Sequence, residues 1–246
     1  MRNRSAAPFA PFRARLALAA LAVIAGSGTG VALATGRVGG ALHTAISSPA
    51  ADRVALGKLV LQAGDVGPGT VAIAPGGRSG DPFERCSGGD GIFAPGPPHE
   101  GLIGPTLVSG GALIGSRATA FVDHDAAVAA FPEIDSDTFA ACLANEMASN
   151  ATAAGQRVTK AQATRDHLTD VGDAGVVIRV HLSMARPVAG ARGRRIEVTD
   201  LWGDVEAFRI DRWAVVVARL AGPGNPLDDG PRAQLTRTMA ARLVLS

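Results

Sequence analysis

Residues 204–220 constrain the fold most, because two stretches of alternating apolar and polar residues flank the short polar break Asp211-Arg212. This pattern predicts a β-hairpin with a two-residue turn. The turn position also sets the register, so the expected opposite pairs are Ile210 with Trp213, Phe208 with Val215, Glu206 with Val217 and Asp204 with Arg219. The chain is therefore expected to contain a sheet whose aromatic and β-branched pairs cluster near this turn.

The N-terminus has the pattern of an export signal. Four arginines precede an apolar run from Leu16 to about Ala25, and small residues then lead to the A-x-A sequence at 32–34. Residues 1–34 are predicted to be a secretory signal or a signal anchor, since residues 16–35 are about long enough to span a bilayer. Both alternatives remain open. Residues 35–51, rich in Gly, Ser, Thr and Ala, are predicted to be a flexible tether.

The overall charge gives no indication of nucleic-acid binding. The net charge is +2, and removal of residues 1–34 leaves 20 of the 24 basic residues against 22 acidic ones. A domain without a basic stripe is not expected to bind nucleic acid. Membrane contact is expected only through the N-terminal segment. The partner is predicted to be an unknown small molecule or a component of the cell envelope.

The remaining residues, 52–246, are predicted to form a single α+β extracytoplasmic domain. Its expected architecture is a curved antiparallel sheet of about five strands with helices packed on one face, because short links join successive strands. Apolar periodicity predicts helices at 52–61, 125–131, 137–149 and 231–245. Alternation predicts strands at 71–74, 112–122, 156–163, 176–184 and 195–202, the last continuing through a bulge at Gly203 into the hairpin. Loops are predicted at 65–105, which is rich in Gly and Pro, and at 186–193.

The chain has two cysteines, Cys86 in the Gly/Pro-rich loop and Cys142 in the predicted helix 137–149. Two cysteines in an exported chain predict a single disulfide between them. The alternative for Cys142 is a small buried core residue. Two cysteines without a histidine at ligand spacing do not predict a metal site, and no cofactor is expected.

Several segments together resemble the PknH-type extracellular sensor domain family of actinobacterial secreted proteins and kinase ectodomains. The resemblance extends over about residues 56–245 and depends on Cys86, Val122–Asp125, Phe139–Cys142, Gly172-Asp173 and Phe208–Val217. It implies one α+β domain with a curved antiparallel sheet and a cleft proposed to bind a ligand. Members of the family commonly carry a second disulfide, whereas this chain has cysteines for only one.

Motifs of the common catalytic classes are missing. The sequence contains no G-x-S-x-G, H-E-x-x-H, P-loop or dinucleotide motif, so no catalytic residue is predicted. His43, His99 and His167 lie in polar segments, and His124 lies between Asp123 and Asp125, which are better placed to cap a helix. A hydrolase with a site assembled from distant residues remains an alternative.

Polar residues that alternate along the predicted strands are the candidate ligand-binding residues, namely Arg117, Arg179, His181, Ser183, Glu197 and Thr199. If one sheet face is open, they could line a polar groove. The alternative is an ordinary solvated sheet face. The sequence thus favours a non-enzymatic ligand-binding or sensor-like domain of the cell envelope, with a structural or protein-interaction module as the alternative.

Overall fold

The computed structural model describes residues 49–73, 85–86, 100–169, 171–190, 193–222 and 229–244. Its helices with described bounds are α1 (Pro49–Leu59), α2 (Ala63–Val66), α3 (His124–Ala130), α4 (Asp137–Ala153) and α5 (Asp229–Val244). Its strands are β1 (Val71–Ile73), β2 (Glu100–Ile103), β3 (Thr106–Ser109), β4 (Ala112–Ala120), β5 (Arg157–His167), β6 (Ala174–Gly190), β7 (Gly193–Ile210) and β8 (Trp213–Ala221). The predicted signal and tether lie almost entirely outside the described residues.

The strands form one antiparallel sheet in the order β1-β3-β4-β8-β7-β6-β5, with β2 also paired to β4. The prediction of an antiparallel sheet is confirmed, but the described part of the chain contributes eight strands rather than about five. Two of the additional strands are β2, which lies in the predicted loop 65–105, and β3, which follows that loop where no element was predicted. Each has only four residues, and the Gly104-Pro105 break separates them, so pairing with β4 rather than local sequence pattern holds them in the sheet.

The predicted hairpin is present with the predicted register. Ile210 lies opposite Trp213, and the pairs Phe208–Val215, Glu206–Val217 and Asp204–Arg219 follow. Asp211 adopts a φ of 51°, which a two-residue hairpin turn requires and which Asp tolerates better than most residues. No bulge occurs at Gly203, because β7 pairs without a register shift from Gly193 to Ile210.

Helices cover both faces of the sheet, so the prediction that they cover one face is wrong. On one face, Ala207 and Val216 of the hairpin belong to a core that includes Phe139 and Leu143 of α4. On the other face, residues of α1 and α5 pack against Phe208 and other strand residues, forming a second core. Both faces of the hairpin are apolar, and each therefore requires its own cover.

The single disulfide prediction is confirmed. Cys86 and Cys142 are bonded, with a Cα–Cα distance of 5.6 Å and a sequence separation of 56 residues. In the chain-entropy description, a loop of that length stabilises the fold by about 4 kcal/mol. The bond ties the Gly/Pro-rich segment to α4, which begins at the N-cap Ser136.

The segment predicted to be a loop at 186–193 instead continues the two longest strands. β6 extends to Gly190 and β7 begins at Gly193, so the pairing continues to the pair Gly190–Gly193.

None of the helices in the described residues is long and apolar enough to cross a membrane.

Candidate functional site

The six predicted site residues lie on two opposite faces of the sheet. Arg179, His181 and Ser183 alternate with the core residues Val180 and Leu182, so they point away from α4. The other three share the face that α4 covers, because they alternate the other way along β4 and β7; they are Arg117, Glu197 and Thr199. The structure therefore brings only the β6 residues together in one place.

Residues of β7 lie beside Arg179, His181 and Ser183 on the same face of the sheet. The register pairs Ser183 with Asp200 and His181 with Trp202. The Ser183 hydroxyl donates to Oδ1 of Asp200 at 2.8 Å, and Nε2 of His181 lies 3.0 Å from the same oxygen. Because a carboxylate can only accept, Nε2 carries the proton. We call Arg179, His181, Ser183, Asp200 and Trp202 the β6–β7 cluster.

The imidazole of His181 stacks on the indole of Trp202. The ring centroids are 4.0 Å apart and the planes differ by 7°. One indole face is thus fixed in position by a ring that Asp200 itself orients. Trp202 keeps 39% of its surface exposed, although tryptophan is on average highly buried in proteins. The arrangement presents a rigid, partly exposed aromatic platform.

The Asp200 carboxylate remains ionised over a wide pH range. The hydrogen bond from Ser183 lowers its pKa most, followed by the hydrogen bond from His181, and the positive charge of Lys160 adds to the effect. These contributions outweigh the opposing effect of burial. Both described hydrogen bonds go to Oδ1, and the side chain is 46% exposed.

The geometry of this cluster is not that of a Ser-His-Asp triad. In a triad the serine hydroxyl donates to the imidazole, which then acts as the base. Here the Ser183 hydroxyl donates to Asp200, and the lowered pKa makes that carboxylate a poor base. The cluster has the hydrogen-bonding groups of a binding site, while the nucleophile-and-base arrangement expected for the hydrolase alternative is not formed by these three residues.

A buried polar network borders the cluster where α5 covers the same face. Arg219 lies 3.1 Å from Asp204 and 3.9 Å from Glu206. The hydroxyl of Thr236 in α5 donates to Glu206, which connects the helix to the sheet. All four side chains are buried. The face is therefore closed from Asp204 towards β8, and it opens from Trp202 towards β5.

The other three predicted site residues have different environments. Arg117 is buried on the face that contains the α4 core. Glu197 accepts two hydrogen bonds from Arg186 at 3.0 and 2.7 Å on the same face. Thr199 is half-buried beside them. These residues do not contact the β6–β7 cluster.

The histidines outside the cluster belong to the sheet ends. Asp123 accepts a hydrogen bond from the Ala126 N–H and caps α3, as predicted. His124 lies 3.5 Å from Asp211, and His167 lies 3.6 Å from Asp135. His43 and His99 are outside the described residues. Within the described ranges, no group of three or more His, Cys, Asp or Glu residues could hold a metal ion.

A shallow depression lies on the other side of the sheet, between α4 and β5. Its volume is about 260 Å³, and small residues such as Ala140, Ala144 and Ala161 line much of it. Arg165 closes one end through hydrogen bonds to Asp135 and Asp137. The depression contains none of the six predicted residues, and its lining also includes the polar residues Asp137, Asn145, Gln162, Thr164 and Arg165.

Asp200 and Trp202 were missed because the sequence indicates alternation within a strand but not the register between strands. Both residues lie in the predicted strand 195–202, and they alternate with Thr199 and Leu201. A prediction that paired β6 with β7 through a tight turn near residue 191 would have placed Asp200 opposite Ser183 and Trp202 opposite His181. Because a loop was predicted at 186–193, the register between the two strands was not predicted.

Comparisons with known proteins add little. No family model matches the chain, and no curated protein matches it. Among solved structures, the chain is similar to the extracellular domain of PknH from Mycobacterium tuberculosis, with 12% identity and a TM-score of 0.38. That match covers 78% of this chain and 96% of the other. The TM-score is too low to establish a common fold, so no property of PknH is transferred to this chain.

Proposed function

We propose that the chain is an exported, non-enzymatic domain of the cell envelope that binds a neutral, hydroxyl-rich ligand such as a glycan on the β6–β7 cluster. The observation that carries the proposal is an exposed indole held beside an ionised carboxylate on the open part of the sheet. The export signal in the sequence and the disulfide support the compartment, because disulfides persist mainly in oxidising environments.

The charges around the cluster favour a neutral ligand. Lys160 lies opposite Ser183 on β5, and its positive charge is one of the influences that lower the pKa of Asp200. A cationic ligand would be repelled by Lys160, and an anionic ligand by Asp200. A neutral ligand avoids both costs, and its hydroxyl groups can donate to Oδ2 of Asp200.

The aromatic platform favours a ligand that has an apolar ring face as well as hydroxyl groups. The indole of Trp202 supplies a large apolar surface at low entropic cost, because stacking on His181 already fixes its orientation. Gln162 of β5 lies opposite His181 and is exposed, which adds an amide at the rim. A sugar ring combines these features, with apolar C–H faces and a polar edge.

The test is calorimetric titration of the full chain with soluble neutral oligosaccharides, namely malto-, cello-, chito- and arabino-oligosaccharides. Trp202→Ala should weaken binding of the recognised sugar at least about tenfold, since aromatic anchors dominate such contacts. Asp200→Asn preserves the shape but removes the charge, and it should weaken binding by a smaller factor. Trp213→Phe is the matched control, because Trp213 packs against Arg212 at the distant turn.

Binding that survives Trp202→Ala unchanged would refute the assigned site. Failure of every neutral oligosaccharide to bind at millimolar concentration would refute the assigned ligand class. The two tryptophans and the absence of tyrosine allow a second readout. In the Trp213→Phe variant, all indole emission comes from Trp202, so a ligand on the platform must change it.

A further inference from the structure

The outer ends of β6 and β7 project beyond the rest of the described sheet. Pairing of β5 with β6 ends at Arg157–Ala185, and pairing of β8 with β7 ends at Trp202–Ala221. Beyond these pairs the two strands continue to Gly190 and Gly193 with only each other as described strand neighbours. We call this two-stranded segment, residues 186–190 and 193–201, the arm. An isolated two-stranded ribbon is only marginally stable in water.

The arm exposes apolar side chains. Ile196 and Val198 are each 62% exposed, and both lie on the face of β7 that contains Trp202. An edge strand that carries exposed β-branched residues is a template for pairing with another strand. The arm therefore has the properties of an interaction surface.

The main-chain groups of β7 that face the open edge can be assigned. Ile210 and Trp213 flank the two-residue turn, so they exchange both hydrogen bonds, and even-numbered residues of β7 point towards β8. The carbonyl of Arg209 agrees, because it accepts from the Asp173 N–H on the β6 side at 2.8 Å. Beyond the end of β8, residues 194, 196, 198 and 200 therefore direct their N–H and C=O groups to an edge that no described strand occupies.

We propose that this edge pairs with the same edge of a second copy of the chain, in an antiparallel register centred on Ile196. A two-fold axis makes the contact self-complementary: where one residue lies opposite a second residue of the other copy, the second residue also lies opposite the first. The register places Ile196 opposite Ile196 and, on either side, Arg195 opposite Glu197. The result is a continuous sheet across two copies, and it does not depend on the proposed ligand.

Charge selects this register over its neighbours. Centring the pairing on Arg195 would place two arginines opposite each other, and centring it on Glu197 would place two glutamates together, both of which are destabilising. Arg195 is exposed and makes no described ion pair, and Glu197 uses only Oε2 for Arg186. Each copy can therefore offer one cation and one carboxylate oxygen to the other.

The length of the open edge excludes the next register. Centring on Val198 would place residue 194 opposite Trp202, but Trp202 already pairs with Ala221 of β8 in its own chain. Among the described residues, the edge without a strand partner runs only over residues 193–201. The Ile196 register uses residues 193–199 and brings the tip of each arm close to the end of the other copy's β8.

Cysteine cross-linking tests the register directly. The two natural cysteines are bonded to each other, so an introduced thiol finds no partner among them. In the proposed dimer, the two Ile196→Cys residues have Cα atoms about 5.5 Å apart, within the disulfide range. Val198→Cys is the matched control with the same exposure, and its Cα atoms are about 15 Å apart, too far to bridge.

The expected result on mild oxidation of the full chain is a covalent dimer of Ile196→Cys and a monomer of Val198→Cys. Equal cross-linking of both variants, or preferential cross-linking of Val198→Cys, would overturn the register. Circular dichroism of each oxidised sample confirms that the fold is intact.

Sedimentation velocity of the chain without added cysteines tests the association itself. The dissociation constant should rise at least about tenfold for Arg195→Glu, because two attractive pairs become two repulsive ones. The triple variant Arg195→Glu, Glu197→Arg and Arg186→Glu, which also reverses the pair that Arg186 makes with Glu197, should restore the affinity. A chain that stays monomeric at high micromolar concentration would overturn the proposal, as would a dimer that is indifferent to Arg195→Glu.

Discussion

Substitution of Arg219 by Met is the sharpest test of how the sheet and α5 are held together. Arg219 is 7% exposed, and its guanidinium interacts with Asp204 and Glu206. Glu206 is 2% exposed and also accepts the hydroxyl proton of Thr236 in α5. Methionine has a similar stem length but no charge, so Arg219→Met leaves two carboxylates in a buried site without their shared cation.

The expected loss of stability is about 3–5 kcal/mol, the cost of removing one partner from a buried ion pair. For a domain of this size, each kcal/mol lowers the melting temperature by roughly 2–4 °C. The melting temperature should therefore fall by roughly 6–20 °C. An exposed ion pair contributes only about 0–1 kcal/mol, so a loss of this size is expected only because the ion pairs of Arg219 are buried.

The measurement is urea unfolding followed by tryptophan emission, together with thermal unfolding. Arg53→Met is the matched control, since Arg53 is exposed and lies 3.9 Å from the partly exposed Glu100. It should change the free energy of unfolding by less than about 1 kcal/mol. If Arg219→Met were no more destabilising than Arg53→Met, the buried network would not be the structural link between the sheet and α5.

Two further predictions concern an ion pair and a glycine. Burial alone would raise the pKa of Asp65, but the hydrogen bonds and charge of Arg242 and a backbone N–H hold it below its usual value. Because the pKa is lower in the folded state, the ionised Asp65 contributes stability above the unfolded pKa of about 4. That contribution is lost as the pH falls through the folded pKa. Asp65→Asn should thus cost about 1 kcal/mol at pH 7, and its difference from wild type in urea unfolding should shrink below about pH 4; a constant difference would contradict this. Gly172 has a φ of 66°, and a Cβ there would lie 2.3 Å from the Arg209 carbonyl oxygen. Gly172→Ala should cost about 3 kcal/mol, against about 1 for Gly155→Ala, which has a similar φ but open space; equal losses would show that contact plays no part.

The hairpin register could be predicted because it depends on local sequence alone. A two-residue polar break between alternating strands fixes which residues are opposite, from Ile210–Trp213 to Asp204–Arg219. The disulfide was equally determined, because the chain offers only two cysteines. These features require no knowledge of how distant elements pack.

The helices on both faces and the length of β6 could not be predicted, because each depends on tertiary contacts. Both faces of the hairpin are apolar in the sequence, and the pattern does not say what covers each one. Pro187 and Gly190 interrupt the strand pattern, yet the chain continues as a strand because β7 pairs with it throughout. The same error hid Asp200 and Trp202, which become visible as site residues only once β6 and β7 are in register.

The two proposed surfaces differ in the support that the sheet gives them, and this difference matches what each must do. The cluster of His181, Ser183, Asp200 and Trp202 lies where β6 pairs with both β5 and β7, so its groups are held in place before any ligand arrives. The arm lies beyond that support and exposes Ile196 on an edge without a described neighbour. A binding cluster gains affinity from rigidity, whereas a ribbon that lacks a third strand gains stability from the strand it recruits. We therefore assign the proposed preorganised site to the middle of the β6–β7 hairpin and the proposed association surface to its outer end.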